Sequence, residues 1–368
     1  MRIAKKLLEY LLAAVFLFSG LIKLNDPIGT KIKLEEYFEV FSQDFTSLSG
    51  FWTALIPFAL FFSILLSSLE VIIGVAIISN YRNKLTLRFT TALLIFFGFL
   101  TFYSAYFNKV TDCGCFGEAI KLTPWTSFTK DMVLLIMTIL ALFIKGSETK
   151  KSNGLWTFGG AVFSVIFGIF SYLYLPLWDS LPYAVGQNIE KNMQLREPLE
   201  FKYLYEIEGK VIALDTIPYN ANAKFISMEA TNEYKAKALI TDYRIWDDKS
   251  QEEYTETSFL GNKFMILIPE LKNTQEKALE KILKMIPELK KNYMQVWIVT
   301  ASSVDSLKGK LKENDLSIPI LSADNKVLKT MVRSNPGFIL LKNGTVKGKW
   351  SGYSNPTAEN IIDKLNAE

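Results

Sequence analysis

Residues 55–79 read LIPFALFFSILLSSLEVIIGVAIIS, and Glu70 is the single charged side chain in the run. Crossing the hydrocarbon of a bilayer takes about 20 mostly apolar residues. The stretch therefore predicts a transmembrane helix. Working outward, four more stretches pass the same test, at 7–24, 86–107, 129–146 and 155–178. Segment 129–146 is the weakest, because Lys130 and Asp131 trim its start. Soluble cores rarely supply five such segments in succession. Residues 179–368 have ordinary soluble composition, rich in Lys, Glu, Asn and Asp. The 49% hydrophobic content of the 368-residue chain thus averages two unlike halves.

The opening Met1-Arg2-Ile3-Ala4-Lys5-Lys6 has the charge of a signal peptide. Its apolar run reaches Lys23 without an A-x-A cleavage site, so a retained helix is expected. Basic residues favour the cytoplasmic side. Arg2, Lys5 and Lys6, then Arg82, Lys84 and Arg88, then Lys145, Lys150 and Lys151 mark three cytoplasmic places. Five spans then put the C-terminal domain outside, which in a bacterium is the periplasm. The expected location is the inner membrane, with the lipid bilayer as one partner.

A net charge of +4 without a long basic run argues against nucleic-acid binding. The chain has no histidine, which removes Ser-His-Asp and Cys-His catalysis and imidazole ligation of metal or haem. Cys113 and Cys115 are the only cysteines, too few for a four-thiolate metal site. No metal ligand set is predicted.

Glu70 stands mid-helix, where a carboxylate costs about 2.5–3.5 kcal/mol on insertion scales. It should face the bundle interior and find a donor among Ser19, Ser67, Ser104, Tyr103 and Tyr106. Two roles stay open: a proton-handling or polar head-group-binding residue, or a hydrogen bond that fixes helix packing.

Thr111-Asp112-Cys113-Gly114-Cys115-Phe116-Gly117 follows the third span on the outer side, where disulfides persist. Two cysteines one residue apart bridge only if the turn tightens, and Gly114 supplies that freedom. Such a small ring is strained and easily reduced, which suits exchange with a partner. The competing reading is a static disulfide that pins the loop. Asp112 disfavours a thiolate beside it.

The membrane half resembles the DoxX/MauE group of small bacterial membrane proteins over residues 1–145. The likeness is carried by Phe18-Ser19-Gly20-Leu21-Ile22-Lys23-Leu24-Asn25-Asp26-Pro27, by Glu35-Glu36-Tyr37-Phe38, by the Glu70 to Gly74 spacing, and by Asp112-Cys113-Gly114-Cys115-Phe116-Gly117. The resemblance implies a four-helix unit at 1–146, leaving 147–178 as a fifth, tethering helix. It also implies a part in disulfide formation or maturation of periplasmic partners. DoxX-like proteins are linked to membrane oxidoreductase assemblies, some with quinone, so a quinone is the cofactor it suggests.

Residues 179–240 read as a β-rich connector, with strands at Phe201–Ile207 and Lys210–Leu214. From 241 to 368 the order is strand (240–243), strand (263–268), helix (274–292), strand (294–300) and helix (303–314). A hairpin around Asn343-Gly344 and a helix at 356–366 follow. This order resembles thioredoxin, with Asn335-Pro336-Gly337 in the place of that family's cis-proline. The junction Pro269-Glu270-Leu271-Lys272-Asn273-Thr274 holds no cysteine, so the domain cannot perform dithiol chemistry by itself.

The expected fold is therefore multi-domain: an all-α transmembrane bundle followed by an α/β thioredoxin-like extracytoplasmic domain. The expected function is membrane-linked thiol–disulfide handling. Cys113 and Cys115 would be the exchanging pair and Glu70 an intramembrane polar site, while the outer domain would bind a protein client or redox partner. The alternative is a non-enzymatic scaffold whose outer domain holds an envelope partner.

Overall fold

The computed structural model describes residues 2–110, 114–118, 120, 122–144, 154–207, 209–219, 223–311, 318–354 and 356–367. The membrane half contains α1 (Arg2–Asn25), α2 (Pro27–Asp44), α3 (Ser49–Leu55), α4 (Ala59–Ile78), α5 (Asn83–Phe107), β1 (Cys115–Glu118), α6 (Pro124–Phe143) and α7 (Leu155–Tyr174). Among the described residues, five helical stretches are long and apolar enough to cross a membrane: α1, the run through α3 and α4, α5, α6 and α7.

Small residues let α1 and α4 meet closely, as between helices in lipid. A Cβ on Gly20 would sit 2.8 Å from the Ser67 carbonyl oxygen, and one on Gly74 would sit 2.6 Å from Leu17 Cγ. Around this contact Leu12, Phe16, Ile73, Ile77, Leu94 and Leu134 form the apolar core.

Two sequence expectations change here. Residues 25–54 lie between the first two expected spans, yet they contain α2. Asp26 caps that helix by accepting the Gly29 N–H at 2.9 Å, and Pro27 occupies its first turn. The fourth span starts at Pro124 rather than 129, because Thr123 caps it. Asp131 is then one turn deeper, 1% exposed, with partners that make its burial tolerable.

The C-terminal half contains α8 (Ile189–Asn192), β2 (Phe201–Ile207), β3 (Lys210–Leu214), β4 (Lys224–Ala230), α9 (Glu233–Ala236), β5 (Ile245–Trp246), α10 (Thr255–Ser258), β6 (Asn262–Ile268), α11 (Glu276–Leu283), α12 (Ile286–Lys291), β7 (Gln295–Thr300), α13 (Val304–Lys310), β8 (Ile320–Ala323), α14 (Asn325–Met331), β9 (Gly337–Lys342), β10 (Thr345–Ser351) and α15 (Ala358–Asn366). Strands β2–β4 make a separate antiparallel sheet in the order β3-β2-β4.

The main sheet has the order β10-β9-β6-β7-β8-β5. Strands β6, β7 and β8 are parallel, while β9 is antiparallel to β6 and β10 to β9. Within it, β7-β6-β9-β10 with crossover helices and a closing α15 is the thioredoxin-like arrangement. Alternate residues of β6 serve the two faces. Met265 and Leu267 pack toward α14 and Tyr243, while Phe264, Ile266 and Ile268 pack toward α11, α12 and α15. Burial on both faces explains why β6 reads as an unbroken apolar run.

The strand expected at 240–243 is not formed; β5 lies at Ile245–Trp246 instead. Tyr183 and Ile189, within the expected connector, belong to the apolar core of this domain. The helix expected over 274–292 is split into α11 and α12, with Pro287 in the first turn of α12. The hairpin turn is as expected, with Asn343 and Gly344 at φ 48° and 71°.

The tight α1–α4 approach gives a first prediction. Gly20→Val adds branched carbons where even one Cβ meets backbone. We expect lower membrane abundance and a lower Tm in detergent, measured against Gly50→Val, a position with nothing within 4 Å.

Candidate functional site

Between α1, α2, α4, α5 and α6 lies a polar cavity of about 80 Å³. Its lining includes Ser19, Lys23, Lys33, Ser67, Glu70, Phe97, Thr101, Gly114, Lys130 and Asp131. Gly114, the residue between the two cysteines, thus reaches the cavity. Its φ of +62° is a conformation that glycine adopts freely. The turn closes with Gly117 N–H donating to the Gly114 carbonyl at 3.0 Å. Cys113 and Asp112 lie outside the described residues, and Cys115 is described only by its backbone, at the start of β1.

Glu70 is 3% exposed and paired with Lys23, whose ammonium donates to Oε1. None of the five donors expected from the sequence is its hydrogen-bond partner. Ser104 instead pairs with Tyr37 at 2.8 Å, and the Tyr103 hydroxyl donates to Asp44. Lys23 was missed because it read as the polar end of the first span. Its ammonium also stands 5.4 Å from the Phe97 ring centre. Two buried oxygens at the cavity, Ser67 Oγ and Glu70 Oε2, have no hydrogen-bond partner among the described residues.

A second carboxylate, Asp131, shares the cavity. It accepts from Lys130 at 2.6 Å and from the Thr101 hydroxyl at 3.1 Å. Lys130 lies 5.4 Å from the ring centre of Phe116, which packs on Phe18 at 5.7 Å. The sequence reading treated Asp131 only as the ragged start of a span.

In the thioredoxin-like domain the Asn335-Pro336 peptide is cis. Its loop is stitched to the segment after β6 by side chains. Asn335 Nδ2 donates to the Glu270 carbonyl at 2.6 Å, and the Thr274 hydroxyl donates to Asn335 Oδ1 at 3.2 Å. Burial pushes the Glu270 carboxyl up, but Lys329 at 2.5 Å and Asn273 outweigh it and hold it below the usual range.

This face is turned onto the membrane half. A cavity of about 340 Å³ lies between them, lined by Glu270, Asn273, Asn335 and Arg333 on one side and Ile28, Lys31 and Tyr172 on the other. Arg333, 2% exposed, donates through Nε to Asp26 at 3.1 Å and places Nη2 at 2.9 Å from the same carboxylate. Lys349 meets Asp179 at 2.6 Å; burial pushes its pKa down against the pull of that carboxylate.

Over residues 1–144 the chain matches the family described as "Methylamine utilisation protein MauE". Residues 1–144 thus form a MauE-like domain. A curated relative, Protein TlpB of Flavobacterium psychrophilum, is 25% identical over 168 residues. That match covers 44% of this chain and 42% of the relative's length. A solved structure, the mitochondrial 2-Cys peroxiredoxin from Plasmodium falciparum, is 12% identical, with a TM-score of 0.25. It covers 34% of this chain and 87% of the peroxiredoxin chain. The chain joins a MauE-like domain to a thioredoxin-like domain whose fold rests on the strand order above.

Helix α2 of the MauE-like domain separates the two cavities. Thr30, Lys33, Leu34 and Tyr37 line the inner one, while Ile28 and Lys31 line the outer one.

Two predictions follow from the buried pairs, because removing one partner of a buried ion pair costs about 3–5 kcal/mol. Arg333→Met should make residues 179–368 more protease-sensitive in the full-length protein, and Arg333→Met with Asp26→Leu should recover part of the loss. Lys23→Met should lower the yield of folded MauE-like domain, and adding Glu70→Met should restore it, as read by size-exclusion profiles in detergent.

Proposed function

We propose that the protein handles thiol–disulfide exchange at the outer face of a bacterial inner membrane. Its N-terminus would be cytoplasmic and its thioredoxin-like domain periplasmic. Cys113 and Cys115 are the exchanging pair, Glu70 with Lys23 forms the polar site beneath them, and the thioredoxin-like domain engages a protein client or redox partner. The observation that carries this reading is the polar, charged cavity that reaches Gly114. A loop meant only as a staple has no use for two buried carboxylates beneath it, or for Ser67 Oγ and Glu70 Oε2, which lack a hydrogen-bond partner among the described residues.

A quinone is the class of carrier that could take two electrons from the dithiol. Lys23 and Ser67 offer the donors its carbonyls need, and Phe97 and Leu100 offer apolar contact. The volume of about 80 Å³ is well below the 150 Å³ that admits benzene in an engineered cavity. A quinone ring does not fit without displacement of the lining, so no step is routed through it. A partner's disulfide or dithiol is the simpler redox counterpart.

One observation favours the scaffold reading instead. The thioredoxin-like face that would meet a partner is held against the MauE-like domain by Asp26–Arg333.

The redox state of the pair in living cells separates the two. Cells are quenched in acid, free thiols are labelled with a heavy maleimide, and the mass shift is read beside Cys113→Ser and Cys115→Ser controls. Exchange predicts a mixed population that moves with added oxidant or reductant. A pair that stays fully oxidised throughout would leave the scaffold reading.

A further inference from the structure

Strands β2, β3 and β4 form a sheet apart from the thioredoxin-like one, and its two faces differ in chemistry. Residues paired across strands share a face, and alternate residues of one strand lie on opposite faces. The register sets Tyr203, Tyr205 and Ile207 of β2 on one face. Beside them fall Leu214 and Ile212 from β3, and Met228 and Phe225 from β4. The other face sets Lys202 opposite Glu229 and Glu206 opposite Lys224. Among the described residues of the sheet, the one charged residue in register with the apolar face is Lys210, at its turn end opposite Ile207.

A β-bulge keeps the apolar face whole. Phe225 and Met228 are three residues apart, so a regular strand would send them to opposite faces. The pairing skips Ile226, between Ser227 and Phe225, and so returns Phe225 to the side of Tyr205. Their ring centres are 5.6 Å apart.

A sheet with one apolar face buries it against another element. Here Tyr205 is buried among its neighbours, but Ile212, Met228 and Phe225 are 41%, 50% and 54% exposed. None of these side chains belongs to the apolar cores of the described residues.

We infer that this face is a dimer interface, occupied by the same face of a second copy of the chain, sheet stacked on sheet. A two-fold contact sets a surface patch against itself, which repels where the patch carries charge and closes freely where it does not. The area also reaches what a dimer needs. Three strands about 4.8 Å apart, at about 3.4 Å per residue, cover about 300 Å² in projection. Side-chain relief raises this to about 500 Å² per copy, so two faces bury about 1,000 Å², the size at which a specific interface begins. Both copies are held in one membrane by their spans, which removes part of the translational and rotational freedom that association in solution costs. Stacked sheets lie about 10 Å apart, close enough for Ile212, Phe225 and Met228 of the two copies to interdigitate.

The test uses the full-length protein in native membranes. The photocrosslinking residue benzoylphenylalanine replaces Ile212, Met228, Lys202 or Glu229, one at a time. The expected result is an adduct of twice the chain mass from the Ile212 and Met228 positions and none from Lys202 and Glu229. With the crosslinker at Phe225, Ile212→Lys with Met228→Lys should lower the adduct at least about tenfold, because like charges then meet in the interface. Ile212→Val with Met228→Leu should keep it. Unchanged protease resistance of residues 179–368 shows that the lysine variant is folded; if it is not, crosslinking of the two faces in the parent sequence decides alone. No dimer adduct from Ile212 and Met228, adducts to lipid or to a different protein in its place, or equal dimer adducts from both faces would overturn the inference.

Discussion

One carboxylate, Asp26, joins the two halves of the molecule. It caps α2 through the Gly29 N–H, accepts from Nε of Arg333 in the far domain, and forms an ion pair with Nη2 of the same guanidinium. Each role supports the other. The cap fixes where the carboxylate points, and the guanidinium compensates a charge that burial would otherwise penalise. Near it, Asn25 exchanges two hydrogen bonds with the Trp178 backbone, and the Ser351 hydroxyl reaches the Leu173 carbonyl. The exit from α7 is thereby tied to the end of α1. The thioredoxin-like domain is seated on the bundle by directional, charge-assisted contacts.

The same helix start orients the inner cavity. Once Asp26 and Pro27 set the direction of α2, Lys33 and Tyr37 fall beside the Cys-Gly-Cys turn and the α5 wall. The two carboxylates that line the inner cavity are each matched by a lysine: Glu70 by Lys23 and Asp131 by Lys130. Pairing makes these charges tolerable in an apolar surround.

The large divisions were legible in the sequence, because run length and composition carry them. Five apolar stretches stand out whatever their partners, and β6 announces itself as a run buried on both faces. What was hidden depends on contacts between distant residues. Helix α2 mixes Lys31, Lys33, Glu35, Glu36 and Glu39 with aromatics, so it reads as loop until its Tyr37 and Phe41 face has Tyr103 to pack against. Lys23 looked like the end of a span, and only the fold shows it turned inward to Glu70. Strand β8 and helix α14 were too short to give a period. Residues 240–243 carried strand-like residues, but Ile240 and Tyr243 serve the core from an irregular segment while β8 pairs with 245–246. The cis Asn335-Pro336 bond stands where the resemblance to thioredoxin placed it.

Asp26 and Arg333 are 307 residues apart in the chain. A ribosome adds residues in order, so the first spans are inserted long before Arg333 exists. Through that interval Asp26 must remain hydrated or find a temporary partner, and the end of the bundle that meets the thioredoxin-like domain is incomplete. The membrane domain therefore acquires its finished form only when the last strands of the other domain have folded. In this protein the final stage of membrane-domain assembly belongs to the soluble half.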